Sequence, residues 1–250
     1  MKRIIFYFLL ILFGYRNLVS ANNEALFENA NKLYKEDRFN EALLLYLELI
    51  DKGITNVDLY YNLANTYYRI NDSGYAIYWW KKALKLRPNN EDIKHNLRIA
   101  EKKILDEFIY TEDIVETLQK NISSKITIYQ SQIMFLSLFL IFFIYLGIMR
   151  LRRVKRRRIY RRVRNFIFVL LVISSALCIW RIWYEENYVY GVILVESVNA
   201  VSEPKGDASV ISIIHKGLTL RVFGIKDDFY QVLLPGNILC YLKKDSLGII

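Results

Sequence analysis

Two histidines and two cysteines occur in the 250 residues, and His215 and Cys240 fall in the same C-terminal stretch. A thiolate beside an imidazole is a nucleophilic pair, provided that a third group orients the base and a pocket receives a substrate. About sixty residues of alternating polarity leave little room for a pocket, and no third member is evident, so the expectation is a protein that is not an enzyme. Cys240 then fills core space and His215 decorates a turn. Asp227 and Asp228 read as turn residues and not as a metal site. Nothing follows a phosphate-cradling glycine loop or a metal-ligand spacing, so neither cofactor nor metal is expected.

The densest charge lies elsewhere. Ten of the 35 Lys and Arg residues fall between Arg150 and Arg164, without an acid among them, and they account for the whole net charge of +10. Clustered bases also bind nucleic acid, but here they sit between two apolar runs, Ile128 to Met149 and Phe166 to Trp183. A hydrocarbon core of roughly 30 Å takes about 20 helical residues, so each run is long enough to cross it. Short basic loops stay on the cytoplasmic side, which directs the rest of the chain outward and excludes nucleic acid as partner. The bases instead meet anionic headgroups of the lipid bilayer. Lys2 and Arg3 before Ile4 to Phe13, then Val19-Ser20-Ala21, give an independent sign of export, with a signal peptide over 1–21. Within the spans no Asp, Glu, Lys or His occurs; Arg181 near Trp180, Trp183 and Tyr184 reads as an interface anchor, so conduction is not expected.

From Asn23 the chain repeats every 34 residues. In Val57 to Asn90, Tyr60, Leu63, Ala64, Tyr67, Ala76, Trp80, Ala83 and Pro88 stand at the offsets of the tetratricopeptide pattern. Asn23 to Asn56 sets Leu26, Ala30, Leu33, Ala42, Tyr46 and Leu49 at the same offsets, with Asn29 where Leu is usual and Ile54 where Pro is usual. Small residues such as Ala30, Ala42, Ala64 and Ala76 let paired helices approach, and Glu91 to Phe108, with Ile93, Leu97, Ala100 and Ile104, caps the stack. Trp80 is a core position, and Trp79 beside it is the residue free to be partly exposed.

The resemblance to tetratricopeptide domains implies a concave peptide-binding groove built from Phe27, Asn31, Tyr34 and Lys35 in the first repeat and Tyr61, Asn65, Tyr68 and Arg69 in the second. Asn31 and Asn65 share one position and resemble the amides that hold a peptide's terminal carboxylate in clamp-type domains, with Lys35, Arg69 and Lys103 adding charge. Phe27, His95 and Ile99 stand where such clamps carry bases, so peptide binding of some kind is the broader expectation.

Beyond the repeats, Ile114, Leu118 and Ile122 recur every four residues, an amphipathic approach to the membrane. After Glu186, Leu218, Leu220 and Val222, then Tyr230, Val232 and Leu234, alternate as strands do, with turns at Glu203-Pro204-Lys205-Gly206, Lys226-Asp227-Asp228 and Pro235-Gly236-Asn237. Five or six strands are predicted, and the order of the pieces resembles bacterial SH3 domains. Ser202, Cys240 and Tyr241 stand where those carry an arginine and a tryptophan, which weakens a carry-over of peptidoglycan recognition.

The expected fold class is a multi-domain membrane protein: an α-helical tetratricopeptide solenoid, two transmembrane helices and a small all-β SH3-like barrel. Its segments are a signal peptide (1–21), repeats with a capping helix (23–108, with repeats 23–56 and 57–90), an amphipathic segment (109–127), spans (128–149 and 166–184) around a basic cytoplasmic loop (150–164), and the SH3-like module (188–250). This order resembles the E-type proteins of the bacterial aerotolerance operon, the Bat proteins. Membership implies a scaffold of the bacterial inner membrane acting in the periplasm with membrane-anchored von Willebrand A-domain proteins. The rival expectation is a cell-wall sensor whose SH3-like module binds peptidoglycan.

Overall fold

The computed structural model describes residues 22–106, 121–122, 125–151, 158–234 and 238–250. The expected signal peptide, most of the amphipathic segment and the turn Pro235-Gly236-Asn237 lie outside the described residues. Five helices open the described chain: α1 (22–35), α2 (Phe39–Asp51), α3 (Val57–Arg69), α4 (Ser73–Leu86) and α5 (Glu91–Glu101). The 34-residue period is visible in their ends. Asn56 and Asn90 each cap a helix, accepting hydrogen bonds from the Asp58 N–H at 2.7 Å and the Ile93 N–H at 3.1 Å. Each such cap contributes about 1 kcal/mol. Asp37 and Asn71, also one period apart, take the left-handed turn between paired helices at φ 58° and 63°, a conformation that short amide and carboxylate side chains tolerate.

The alanines expected at helix contacts, Ala30, Ala42, Ala64 and Ala76, are wholly buried, and Tyr46, Leu63 and Trp80 fill the space between them. Trp79 is a correction. It is only 7% exposed, set between the rings of Tyr60 and Tyr78 at 5.1 and 5.0 Å, because that face of α4 is covered. Ile93, Leu97 and Ala100 of α5 close the stack, although the cap helix ends at Glu101.

Two helices, α6 (Ile128–Leu151) and α7 (Arg158–Asn187), are long and apolar enough to cross a membrane. They run antiparallel: the Tyr145 hydroxyl donates to the Tyr160 carbonyl at 2.8 Å, and the rings of Phe142 and Phe168 lie 5.8 Å apart. Helix α7 extends beyond the apolar segment at both ends and takes in Arg158, Arg161, Arg162 and Arg164 of the basic run, since arginine is a good helix former. The loop between the helices is accordingly shorter than 150–164.

Helix α7 leads directly into an antiparallel sheet of seven strands: β1 (Val189–Ile193), β2 (Ser197–Val201), β3 (Val210–His215), β4 (Thr219–Lys226), β5 (Phe229–Leu234), β6 (Ile238–Lys243) and β7 (Leu247–Ile249), in the order β3-β2-β6-β5-β4-β1-β7. The predicted alternation is the burial pattern: Leu220, Val222, Val232 and Leu234 point inward while Phe223 is exposed. Side chains from all seven strands meet in one core around Ile193, Ala200, Ile214, Leu220, Val232, Cys240, Leu242 and Leu247. The sheet curls around that core, yet its edge strands β3 and β7 do not pair, so the ladder is not closed. A seventh strand goes beyond the expected five or six because β7, three residues long, carries no alternation that could be read.

Candidate functional site: the repeat groove

Helices α1, α3 and α5 present the concave side of the stack. The sequence places Asn31 and Asn65 there as ligand amides, and the structure gives their oxygens an internal task. The Asn31 Oδ1 accepts from the Tyr46 hydroxyl at 2.7 Å and from the Asn62 Nδ2 at 2.8 Å. One period later the Asn65 Oδ1 accepts from the Trp80 Nε1 at 3.1 Å and from the Asn96 Nδ2 at 3.2 Å. An indole N–H can only donate, so the Asn65 oxygen must face it and the amide nitrogen must turn the other way. These two rungs tie each repeat to the next. Burial holds the Tyr46 phenol well above its usual range, so it stays a neutral donor.

Neither Nδ2 of Asn31 nor that of Asn65 has a hydrogen-bond partner among the described residues, and both residues are half-buried. The donor pair that a clamp would need therefore survives, while its acceptor side is used in the rungs. Tyr61 is half-buried, and its hydroxyl accepts from the Asn96 Nδ2 at 3.2 Å. Phe27 packs on Tyr46, Tyr34 on Phe39 and Tyr68 on Trp80, at centroid distances of 6.0, 5.3 and 5.6 Å, so these three groove rings stand on the core.

The charged groove residues differ among themselves. Arg69 pairs with Asp37 at 3.0 Å and lies 4.3 Å above the Phe39 ring, so the turn between α1 and α2 holds it. Lys103 sits 4.7 Å over the Tyr68 ring, and Lys35 is exposed. Lys35, Arg69 and Lys103 follow one another by one period at one rim, and Glu24, Asp58 and Asp92 do so at the other. Acids near helix starts and bases near helix ends also complement the helix dipoles, so this layout by itself does not name a ligand. The rung partners Asn62 and Asn96 were not read as special from the sequence, though their spacing of 34 carried the signal.

The opposite face, formed by α4, is covered by the sheet. Val192 belongs to the repeat core, and Leu194, Ile104 and Ile250 pack against it. Gly74 makes this possible: a Cβ there would stand 2.9 Å from the Ile193 carbonyl and 2.5 Å from the Lys216 side chain. Gly217, at φ +91°, turns beneath Ile77 and Ile104. Polar contacts frame the seam. The His215 N–H donates to the Asp106 Oδ2 at 2.6 Å and its Nδ1 lies 2.9 Å from the Oδ1. Lys216 joins Asp72 at 3.3 Å to Glu196 at 2.7 Å, and Lys85 reaches the Ile250 main-chain oxygen at 2.9 Å and Glu185 at 3.5 Å. Burial would lower the Lys216 ammonium, but Glu196 and Asp72 together hold it above its ordinary value.

His215 thus sits at this seam, while Cys240 lies wholly buried in the sheet core with its thiol pushed up by burial to about 11. The structure does not bring them together as a nucleophilic pair. Residues 57–90 match the model of the tetratricopeptide repeat family. No curated protein matches the chain. A tetratricopeptide repeat, made of α3 and α4, therefore stands at the centre of the helical stack and implies a surface for protein–protein contact.

Proposed function

We propose that this protein is a membrane-anchored scaffold, without enzymatic activity, that holds an extended segment of a protein partner in the groove of α1, α3 and α5. The observation that carries the reading is the asymmetry of the stack: its back is covered by the sheet, while among the described residues its concave face is open, lined by Phe27, Tyr34, Tyr61 and Tyr68 around two amide donors without a partner there. Aromatic rings standing on a buried core form a rigid platform, and rigid platforms lose little entropy on binding.

The membrane reading rests on α6 and α7, whose apolar side chains, such as Phe143, Ile144, Val169 and Ile173, are at least half exposed. A surface of this kind is not stable in water. Asp106 ahead of the hairpin touches His215 behind it, which requires both ends of the hairpin to lie on the same side of any bilayer it crosses. The basic run at the other end favours the cytoplasm there, hence the outer side for groove and sheet. In this reading the sheet is a partly open SH3-like barrel. The Bat resemblance adds the periplasm of the inner membrane, envelope stress and von Willebrand A-domain partners.

The test is titration of the full chain in lipid nanodiscs with fluorescent peptides, acidic-tailed and neutral, read by anisotropy. Saturable binding weakened about tenfold (1.4 kcal/mol) by Lys35→Glu with Tyr61→Ala supports the groove. Binding indifferent to both substitutions would remove it.

A further inference from the structure

Strand β1 begins at Val189, just after α7 ends at Asn187. Its neighbour β4 pairs Val222 with Val189 and then runs on to Lys226. Phe223 to Lys226 therefore overhang the start of β1, back along the last turns of α7. At roughly 3.3 Å per residue, the overhang carries the β4–β5 tip about 13 Å in that direction.

A chain of ring contacts ties the overhang to the helix end. The Tyr184 and Tyr188 rings stack at 4.2 Å, and Trp183 meets Tyr188 at 6.0 Å. The Arg221 guanidinium lies 3.7 Å over Tyr188 and 4.5 Å over Phe223. Phe223 and Ile225, both on the overhang, are 47% and 64% exposed, and Trp183 is 48% exposed. Exposed apolar side chains at a hairpin tip need cover, and their continuity with the end of a spanning helix says which cover.

We propose that the β4–β5 tip rests on the bilayer surface, with Phe223 and Ile225 entering the interfacial layer beside Trp183. The proposal rests on the reading of α6 and α7 as membrane-spanning. Tryptophan and tyrosine at a span's end settle at headgroup depth, and Tyr188, Arg221 and Phe223 continue that level onto the sheet. Arginine suits the junction because its stem and planar head stack on rings while its charge meets phosphate. The turn itself carries Lys226 with Asp227 and Asp228, and Lys243 lies opposite Phe229, so both signs are present. The attachment is accordingly apolar, and lipid charge has little influence on it.

Site-directed spin labelling of the full chain in nanodiscs tests this. Cysteine is introduced singly at Phe223, Ile225, Phe143 of α6 and Ile213 of β3; the native Cys178 and Cys240 are buried. Ile225→Cys leaves the Arg221 stack intact, which covers the case in which Phe223→Cys disturbs it. The expected result is several-fold more collision with oxygen than with a water-soluble nickel chelate at 143, 223 and 225, and the reverse at 213, in phosphatidylcholine with or without phosphatidylglycerol. Water-like labels at 223 and 225 beside a lipid-like 143 would overturn the proposal alone. Shielding of 223 and 225 from both reagents, as burial against a second copy would produce, would overturn it too. A water-like 143 would bring down the spanning reading, and the proposal with it.

Discussion

The concave and covered faces of the helical stack use the same helices differently. On the concave side, side-chain amides reach across repeats, Asn62 to Asn31 and Asn96 to Asn65, so the two amide oxygens are satisfied while the surface stays open among the described residues. On the covered side, a glycine in α4 lets a strand's backbone come against the helix, Ile77 is buried beneath Gly217 and the Tyr78 ring lies along Gly248. Repeat helices alone leave both faces unfinished. Hydrogen bonds finish the first without closing it, and a second domain finishes the other by closing it.

The largest effect is expected from Trp80→Ala, which removes both the core ring and the donor to Asn65 and costs about 3–5 kcal/mol. Hydrogen exchange should show α3 to α5 losing protection while the core of the sheet keeps its own; joint loss would mean that the two faces fold as one unit. Gly74→Leu tests the covered face alone. Its side chain would meet the Ile193 carbonyl, at a cost of about 1–3 kcal/mol, and limited proteolysis should then cut between α5 and the sheet with the repeats still helical. Asn65→Ala, on the concave face, strands the Trp80 indole and leaves the Asn96 amide with the Tyr61 hydroxyl alone, and should cost about 1–3 kcal/mol in thermal unfolding without any ligand. If stability is unchanged, the rung is incidental and a binding defect in this variant reports the groove directly.

The smallest effect concerns pH. The Lys216 ammonium is held above its ordinary 10.5 in the fold, so its contribution to the seam is fully present below that pH and disappears as pH rises through the raised value. Fluorescence transfer between labels on α4 and the sheet should fall at alkaline pH, and Lys216→Met should remove that extra slope. The same slope in both would assign it to other groups.

The repeats were the most legible part of the chain because each buried position, from Ala30 to Trp80, recurs at a fixed offset and needs no distant partner to be recognised. The apolar runs were legible by length. The seam was not: His215 looked like a turn ornament because its partner Asp106 lies 109 residues away, and pattern reading carries no information at that range. The groove stood between these extremes. The positions of Asn31 and Asn65 followed from the period, but their occupation by Tyr46 and Trp80 depended on which way an amide turns. Trp79 was misjudged for a different reason, since the rings that flank it, Tyr60 and Tyr78, are repeat residues whose side chains could have turned either way.

That long separation bears on biogenesis. The seam joins an earlier stretch of the nascent chain to a later one, and everything between Asp106 and His215 must be made before that contact can form. The repeats leave the ribosome with Ile77 still unsealed, and it remains so until the strands around Gly217 arrive. In the membrane-anchored protein proposed above, insertion of the hairpin would also shorten the search by bringing two distant stretches of chain to the same place. A version lacking the final sixty residues would therefore display a sticky helix back for its whole lifetime, and would be a substrate for chaperones and proteases.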